Sequence, residues 1–268
     1  MTLRRAVVLL LLALLGPALA ACSSEDQGAN TDPDLVDAVD VPTSGTCRVL
    51  TPDDVAKPAN ATKTVPCAKE HTAETFATGE LPSQFDDVKY DDRELGHYAY
   101  QTCSKAFAKF VGADESLVLR TMLSWAWFRP SEKAWGKGAR WYRCDVVGGS
   151  TASAAYRPLP ETAQGLLEGR PPEEWLSCAR GASVGEGEKV PCSQKHDWRA
   201  ATTVKLGQPD DAYPGDRVME SRTRSFCATS VKAWLNYPSA FEYGFTFFHR
   251  AEWDAGNRRS VCWAKTNE

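Results

Sequence analysis

The chain has 268 residues, a formal net charge of −4 at pH 7 and nine cysteines. This acidic balance argues against nucleic-acid binding, which needs a basic surface, and against electrostatic attachment to anionic lipid. The length suits one or two domains. We expect no nucleic-acid partner and no cofactor.

The N-terminus, residues 1–21, predicts a lipoprotein signal peptide. Arg4 and Arg5 give a positive start, and the apolar run 6–19 is too short to span a bilayer comfortably. Small residues then precede Cys22, and Leu-Ala-Ala-Cys resembles the bacterial lipobox. The resemblance implies lipid on the Cys22 sulfur and an extracytoplasmic protein anchored to the cell membrane. The alternative is a secreted protein cut at the same point.

The next segment, residues 22–44, predicts an acidic, disordered tether. It holds six carboxylates and neither lysine nor arginine. Low apolar content and a single sign of charge keep such a segment from folding. We expect it to lift the folded part off the membrane surface.

The rest of the chain repeats one pattern of motifs. V-P-C-x-x-x-H occurs at 65–71 and 190–196, and W-x-x-G-x-R-x-x-x-C occurs at 135–144 and 253–262. In each half, one cysteine precedes the first motif and one lies between the two motifs. So many identities at fixed spacing predict two homologous domains.

The predicted domains span residues 45–147 and 175–268, with a linker rich in proline and small residues at 148–174. Apolar periodicity gives each half the order β–α–β–β. The predicted segments are 70–78, 93–111, 116–128 and 139–147 in the first half, and 198–206, 221–235, 241–249 and 259–264 in the second. This order predicts an α+β fold: two small disulfide-stapled domains, each a mostly antiparallel sheet with one main helix.

The repeated motifs resemble those of the actinobacterial septum formation family: a Cys, P-C-x-x-x-H with a following Glu, a helical Cys, and W-x-x-G-x-R-x-x-x-C. The resemblance covers nearly all of the chain beyond the tether, twice. It implies small extracytoplasmic domains and a link to septum formation or cell division, and it implies no particular reaction. Glu74 occupies the Glu position in the first copy, but Arg199 stands there in the second. The role of that carboxylate is therefore open in the second half.

Eight cysteines follow Cys22, and an even number in an exported chain indicates disulfides. The helical cysteines lie on an apolar stripe that faces the sheet, which favours local pairing. The expected pairs are Cys47–Cys67, Cys103–Cys144, Cys178–Cys192 and Cys227–Cys262. The alternative joins the first cysteine of each half to the last, and the second to the third.

The cysteine and histidine of V-P-C-x-x-x-H raise two chemical hypotheses. A catalytic pair needs a free thiolate, which an oxidised cysteine cannot supply. A zinc site formed by Cys67, His71, Cys103 and Cys144 lacks the two close ligand pairs usual for structural zinc. We therefore expect no catalytic residue and no metal, and we expect His71 to bond a backbone carbonyl or Glu74.

Several motif residues besides the cysteines mark candidate sites. They are His71, Glu74, Trp135, Gly138, Arg140, His196, Trp253, Gly256 and Arg258. The tryptophans allow two interpretations, an exposed row that stacks on cell-wall sugar rings or core packing, and we favour the core. The motif arginines are expected to stack near the tryptophans or to pair with an acid.

Taken together, the sequence predicts a non-enzymatic, lipid-anchored extracytoplasmic protein of the bacterial cell envelope. Its expected partners are the membrane, through the anchor, and an envelope protein or a cell-wall component. The alternatives are a glycan- or protein-binding module and an enzyme with an unrecognised site.

Overall fold

The structure is a computed structural model that describes residues 30–150 and 153–268. The predicted signal peptide and the lipid-attachment residue Cys22 lie outside the described residues. Among the helices that are described, none is both long enough and apolar enough to cross a membrane.

The first half forms a five-stranded antiparallel sheet in the order β2-β1-β3-β5-β4. A long helix, α2, packs against it and a short 3-10 turn covers Ser83–Phe85. Its elements are β1 (Cys47–Arg48), α1 (Pro52–Val55), β2 (Thr64–Val65), β3 (Ala73–Glu80), α2 (Arg93–Val111), α3 (Glu115–Val118), β4 (Ser124–Phe128), α4 (Glu132–Gly136) and β5 (Trp141–Val147).

The second half repeats this arrangement, with the sheet order β7-β6-β8-β10-β9. Its elements are β6 (Ser177–Arg180), β7 (Glu188–Pro191), β8 (Trp198–Lys205), α5 (Asp216–Trp234), β9 (Tyr243–Thr246), α6 (Arg250–Ala255) and β10 (Arg259–Lys265). The pairing of the two central strands shifts register at Phe76 in one sheet and at Ala201 in the other, which are equivalent positions. The predicted α+β fold with two homologous domains is confirmed.

Three element predictions need correction. The hairpins β1–β2 and β6–β7 were missed because their strands have only two to four residues. Residues 116–128, predicted as strand, begin as helix α3, because the Asp114 side chain accepts a hydrogen bond from Leu117 N at 2.6 Å and caps the turn. Helix α5 begins at Asp216 rather than at residue 221.

Each long helix turns one stripe toward its sheet. On α2 a buried residue recurs at every fourth position, namely Leu95, Ala99, Cys103, Phe107 and Val111, and Ala108 is buried beside this stripe. Asp92 caps the start of the helix, and Gly112, which adopts φ +75°, caps its end. Because Cys103 lies in the middle of this stripe, it meets the central strand β5.

The described part of the predicted tether is not free of the first domain. Thr31 forms a β-bridge with Thr62, and Trp141 Nε1 donates a hydrogen bond to the Ala38 carbonyl at 3.1 Å. Asp37 pairs with Lys133 at 2.6 Å. From Thr31 to Ala38, therefore, the segment lies on the domain, and the tether prediction does not hold there.

The predicted linker joins the two sheets and also completes the core of the first domain. Leu159, Ala163 and Leu167 are buried there in one cluster with Phe107 and Val111 of α2. Backbone hydrogen bonds from Gly165 and Leu167 to the end of α2 hold the segment in place. Its prolines and small residues gave no indication of this packing.

Candidate functional site: a cleft between the two repeats

All eight cysteines that the structure describes are paired. The disulfides are Cys47–Cys67, Cys103–Cys144, Cys178–Cys192 and Cys227–Cys262. This is the local pairing that the sequence favours, not the pairing of the first cysteine with the last. One bridge in each domain closes the small hairpin, and the other ties the long helix to the central strand. In this state neither Cys67 nor Cys192 offers a thiolate to its neighbouring histidine.

The three cysteines of the zinc hypothesis are not free to bind a metal, because each belongs to a disulfide. Cys67 belongs to one bridge, while Cys103 and Cys144 form another. Over residues 30–150 and 153–268, no group of three His, Cys, Asp or Glu side chains is placed to hold a metal ion.

The two motif histidines are buried and make the same contact. His71 Nδ1 lies 2.8 Å from the Lys69 carbonyl, and His196 Nδ1 lies 2.7 Å from the Gln194 carbonyl. Because a carbonyl only accepts, Nδ1 carries the proton in both rings. The predicted backbone contact is present, and Glu74 is not the partner of His71. Each histidine thus closes the turn that leads into a central strand.

Glu74 and Arg199, which differ in charge at equivalent positions, both hold the connecting segment. The buried Glu74 carboxylate accepts hydrogen bonds from Thr162 Oγ1 at 2.9 Å and from Ala163 N at 2.7 Å. Arg199 forms a forked pair with Glu173 at 2.7 and 2.8 Å, which lowers the pKa of the Glu173 carboxyl. The replacement of the glutamate by Arg199 in the second copy therefore has a structural reason. Glu74 and Arg199 each bind a different part of the segment that connects the two domains.

The W-x-x-G-x-R motif builds a compact turn around its arginine. The Arg140 guanidinium lies 3.9 Å from the Trp135 ring centre, and Arg258 lies 3.8 Å from that of Trp253. Each arginine also donates to the carbonyl of its own tryptophan, at 2.9 and 2.5 Å respectively. The arginine thus stacks and satisfies the end of a short helix rather than pairing with an acid.

The motif glycine makes this turn possible. Gly138 and Gly256 have φ of +93° and +116°, a region that favours glycine. The chain then runs into the central strand, where the motif cysteine meets the helical cysteine. The spacing of the whole motif is therefore explained by packing.

Most tryptophans pack in the core, as expected from the sequence. Those that are buried are Trp135, Trp141, Trp175, Trp198, Trp253 and Trp263. Trp125 and Trp127 are half-buried, and Trp234 is 46% exposed. The described residues do not form an exposed row of aromatic side chains. Trp125 differs from the buried tryptophans because it lines a cleft.

Trp125 lines a cleft of about 440 Å³ between the two domains. The first domain contributes α2, α3 and the start of β4, and the second contributes the end of β8 and the turn at 256–259. The apolar lining is formed by Tyr100, Phe107, Val118, Leu119, Leu123, Trp125 and Pro209. A concave, largely apolar site with polar groups at its margin is typical of ligand binding.

Polar contacts from α3 fix the two walls of this cleft. Thr203 Oγ1 donates to Ser116 Oγ at 2.9 Å, and Arg259 Nε donates to the Glu115 carboxylate at 3.0 Å. Nearby, Arg120 donates to the Ala201 carbonyl at 3.1 Å. The cleft therefore has walls that are joined across the domain boundary.

Tyr100 and Gly256 meet at the base of this junction. A Cβ atom added to Gly256 would lie 2.6 Å from the Tyr100 ring, so only glycine admits this contact. Burial, and next the nearby Glu115 carboxylate, raises the pKa of the Tyr100 phenol, while Arg258 and Arg259 oppose the shift. The equivalent Gly138 has open space around its Cβ position, so the contact belongs to the second copy alone.

The septum formation family model matches residues 24–129 and 120–262. The chain belongs to this family. Comparison with curated proteins and with solved structures gave no match. The two matched regions overlap at 120–129 and are consistent with two tandem copies of a septum formation domain, so the predicted resemblance is confirmed.

The predicted site residues of this member of the septum formation family are not brought together into one centre. The motif histidines, tryptophans and arginines stabilise turns in their own domains, and Arg258 with Gly256 reaches the cleft as well. The sequence motifs gave no indication that Tyr100, Lys105 and Lys205 line the cleft. They lie outside the repeated motifs, and only the docking of the two domains brings them together.

Proposed function

We propose that this septum formation protein is a non-enzymatic, lipid-anchored component of the extracytoplasmic cell envelope, and that it acts by binding a partner in the cleft between its repeats. The observation that carries the proposal is that the cleft is shared by both domains, with Trp125 on one wall and Lys205 on the other.

Family membership supports a link to septum formation, which takes place in the envelope. Disulfides support an oxidising compartment beyond the cytoplasm. The Leu-Ala-Ala-Cys sequence supports lipid on Cys22. Two or three acyl chains would give a stable anchor, since each buried methylene contributes about 0.8 kcal/mol.

The contacts of the motif residues support a binding role over an enzymatic one. The histidines bond backbone carbonyls, and the motif arginines stack on tryptophans. These contacts account for the motif by packing, without a reaction.

The anchor is tested by metabolic labelling with an alkyne fatty acid. The wild-type protein should carry the label and sediment with membranes, while Cys22→Ser should lose both properties. Label retained on Cys22→Ser would contradict the anchor.

The binding role is tested by complementation of a strain that lacks the protein, with septa scored by microscopy. Wild type should restore septation, and a cleft variant with Lys105→Ala, Trp125→Ala and Lys205→Ala should not. A matched control carries Lys109→Ala, Lys232→Ala and Trp234→Ala, which are exposed residues outside the cleft. Equal complementation by both variants, at equal protein levels, would contradict a role for the cleft.

A further inference from the structure

We propose that the cleft binds an acidic glycan, a chain of sugar rings that carries negative charge. The inference rests on the proposed function, because it names the class of ligand for the same cleft. Three features of the lining carry it: the balance of charge, the aromatic surface and the side-chain amides.

The lining is cationic although the chain as a whole is acidic. Lys105, Lys205, Arg258 and Arg259 line the cleft, against the single carboxylate of Glu115. The chain has a formal net charge of −4, so this excess of positive charge is local. A cleft of one sign with low-dielectric walls concentrates ligands of the opposite sign.

Two of these cations are held by the protein and two face solvent. Arg259 pairs with Glu115 at 3.0 Å, and Arg258 bonds backbone carbonyls while it stacks on Trp253. Lys105 and Lys205 are exposed, and one comes from each domain. They are placed to meet a negative group that bridges the two walls.

The aromatic surface suits a sugar ring. Trp125 is half-buried and packs edge-on against Tyr100, with ring centres 5.8 Å apart and an interplanar angle of 61°. A sugar ring has a face of C–H groups that packs on an aromatic ring and hydroxyls at its edge. An acidic peptide would use the lysines but has no comparable use for this ring.

Side-chain amides at the margin suit the hydroxyls. Gln101 lies one helical turn from His97, and its amide contacts the His97 ring nitrogen at 2.7 Å. Asn257 lies on the opposite wall, where its side-chain oxygen accepts from Arg259 N at 2.9 Å. An amide that has one bond in place can both donate to and accept from a hydroxyl with its remaining groups.

The test is calorimetric titration of the full folded, oxidised chain after the signal peptide with three probes. Hyaluronan tetrasaccharide carries both amino sugars and carboxylates, chitotetraose is a neutral amino-sugar chain, and tetraglutamate is an acidic peptide. We expect hyaluronan tetrasaccharide to bind at least tenfold more tightly than either other probe, and more weakly as salt rises.

Variants separate the two kinds of contact. Lys105→Ala with Lys205→Ala should weaken hyaluronan tetrasaccharide binding by about tenfold, since each exposed ion pair is worth up to about fivefold in affinity. Trp125→Ala should weaken it by about fivefold or more. The matched controls, Lys109→Ala with Lys232→Ala and Trp234→Ala, should bind as wild type does.

Four results would each overturn the acidic-glycan proposal. They are no binding of hyaluronan tetrasaccharide, equal binding of chitotetraose, tighter binding of tetraglutamate, and full affinity in the cleft variants. Thermal melting of every variant checks that it folds. If the cleft variants still fail in complementation while hyaluronan tetrasaccharide does not bind, the binding role stands and the ligand class alone is wrong.

Discussion

A buried ion network in the first domain gives the sharpest prediction of stability. Asp145 is fully buried; it accepts a hydrogen bond from Thr75 Oγ1 at 2.7 Å and forms an ion pair with Arg143 at 3.0 Å. Thr75 in turn accepts from the buried Arg48 at 2.8 Å. One carboxylate therefore balances two buried guanidinium groups.

Asp145→Asn keeps the shape of the side chain and removes this balance. Burial, and next the nearby Arg143, already lowers the pKa of Arg48 to about 10, and Asp145 opposes that shift. Removing one partner of a buried pair costs about 3–5 kcal/mol, a large fraction of the usual stability of a domain. We expect a loss of this size in the free energy of unfolding from denaturant titration under oxidising conditions.

Two controls make the result interpretable. Arg180→Ala breaks an ion pair with Glu188 whose side chains are 50% and 71% exposed, and it should change the stability by less than about 1 kcal/mol. Arg143→Met combined with Asp145→Asn should cost less than the sum of the single changes, because the two groups interact. A loss below about 1 kcal/mol for Asp145→Asn would refute the reasoning.

Three further predictions concern the connecting segment and the domain junction. Glu74→Ala should destabilise the protein by about 1–3 kcal/mol and speed amide hydrogen exchange in the segment that it holds, while Glu80→Ala, exposed on the same strand, should do neither. Gly256→Ala should lower the free energy of unfolding by about 1–2 kcal/mol or more, as measured by thermal or chemical unfolding. Gly96→Ala, a helical position with open space for a Cβ atom, should raise it by about 0.5–1 kcal/mol. Because the pKa of Tyr100 is raised in the folded protein, its contribution to stability is intact below about pH 10 and is lost as the pH rises through the folded pKa. Tyr100→Phe should therefore lessen the loss of stability that is seen above about pH 10. Unchanged hydrogen exchange in Glu74→Ala would contradict the contact of Glu74 with the connecting segment. Equal changes in stability for Gly256→Ala and Gly96→Ala would contradict the close approach of Gly256 to Tyr100. An alkaline loss of stability in Tyr100→Phe identical to that of the wild type would contradict the burial of the Tyr100 phenol.

Local pattern was enough to predict the long elements and the repeat. The helix over 93–111 and the central strands follow from apolar periodicity, and the two copies follow from motif spacing. Two-residue strands such as β1 carry too little periodicity to be seen. The folded position of residues 159–167 depends on contacts with α2 that are distant in sequence.

The buried network shows a further limit of reasoning from one repeat to the other. Strand register aligns Arg143 and Asp145 with Val261 and Trp263 in the second domain, where an apolar cluster replaces the charges. The two domains therefore fill equivalent core positions with different chemistry. This is possible because a buried ion network and a hydrophobic cluster can be comparable in stability. Motif identity therefore predicted the shared turns and bridges but not the chemistry of each core.

The cleft could not be read from the motifs because it belongs to neither repeat alone. Tyr100 and Lys105 are ordinary positions on a helix, and Lys205 is the last residue of a strand. Only Gly256 and Arg258 carried a signal, as part of a motif whose glycine and arginine have a local role in both copies.

The most direct test of this account is disulfide mapping of the full-length protein purified from the cells that make it, after alkylation without reduction. Peptide mass spectrometry should find Cys47 linked to Cys67, Cys103 to Cys144, Cys178 to Cys192 and Cys227 to Cys262, with none of the eight alkylated. Alkylated cysteines at these positions, or links between the first and last cysteine of each half, would contradict a disulfide-stapled protein of the envelope.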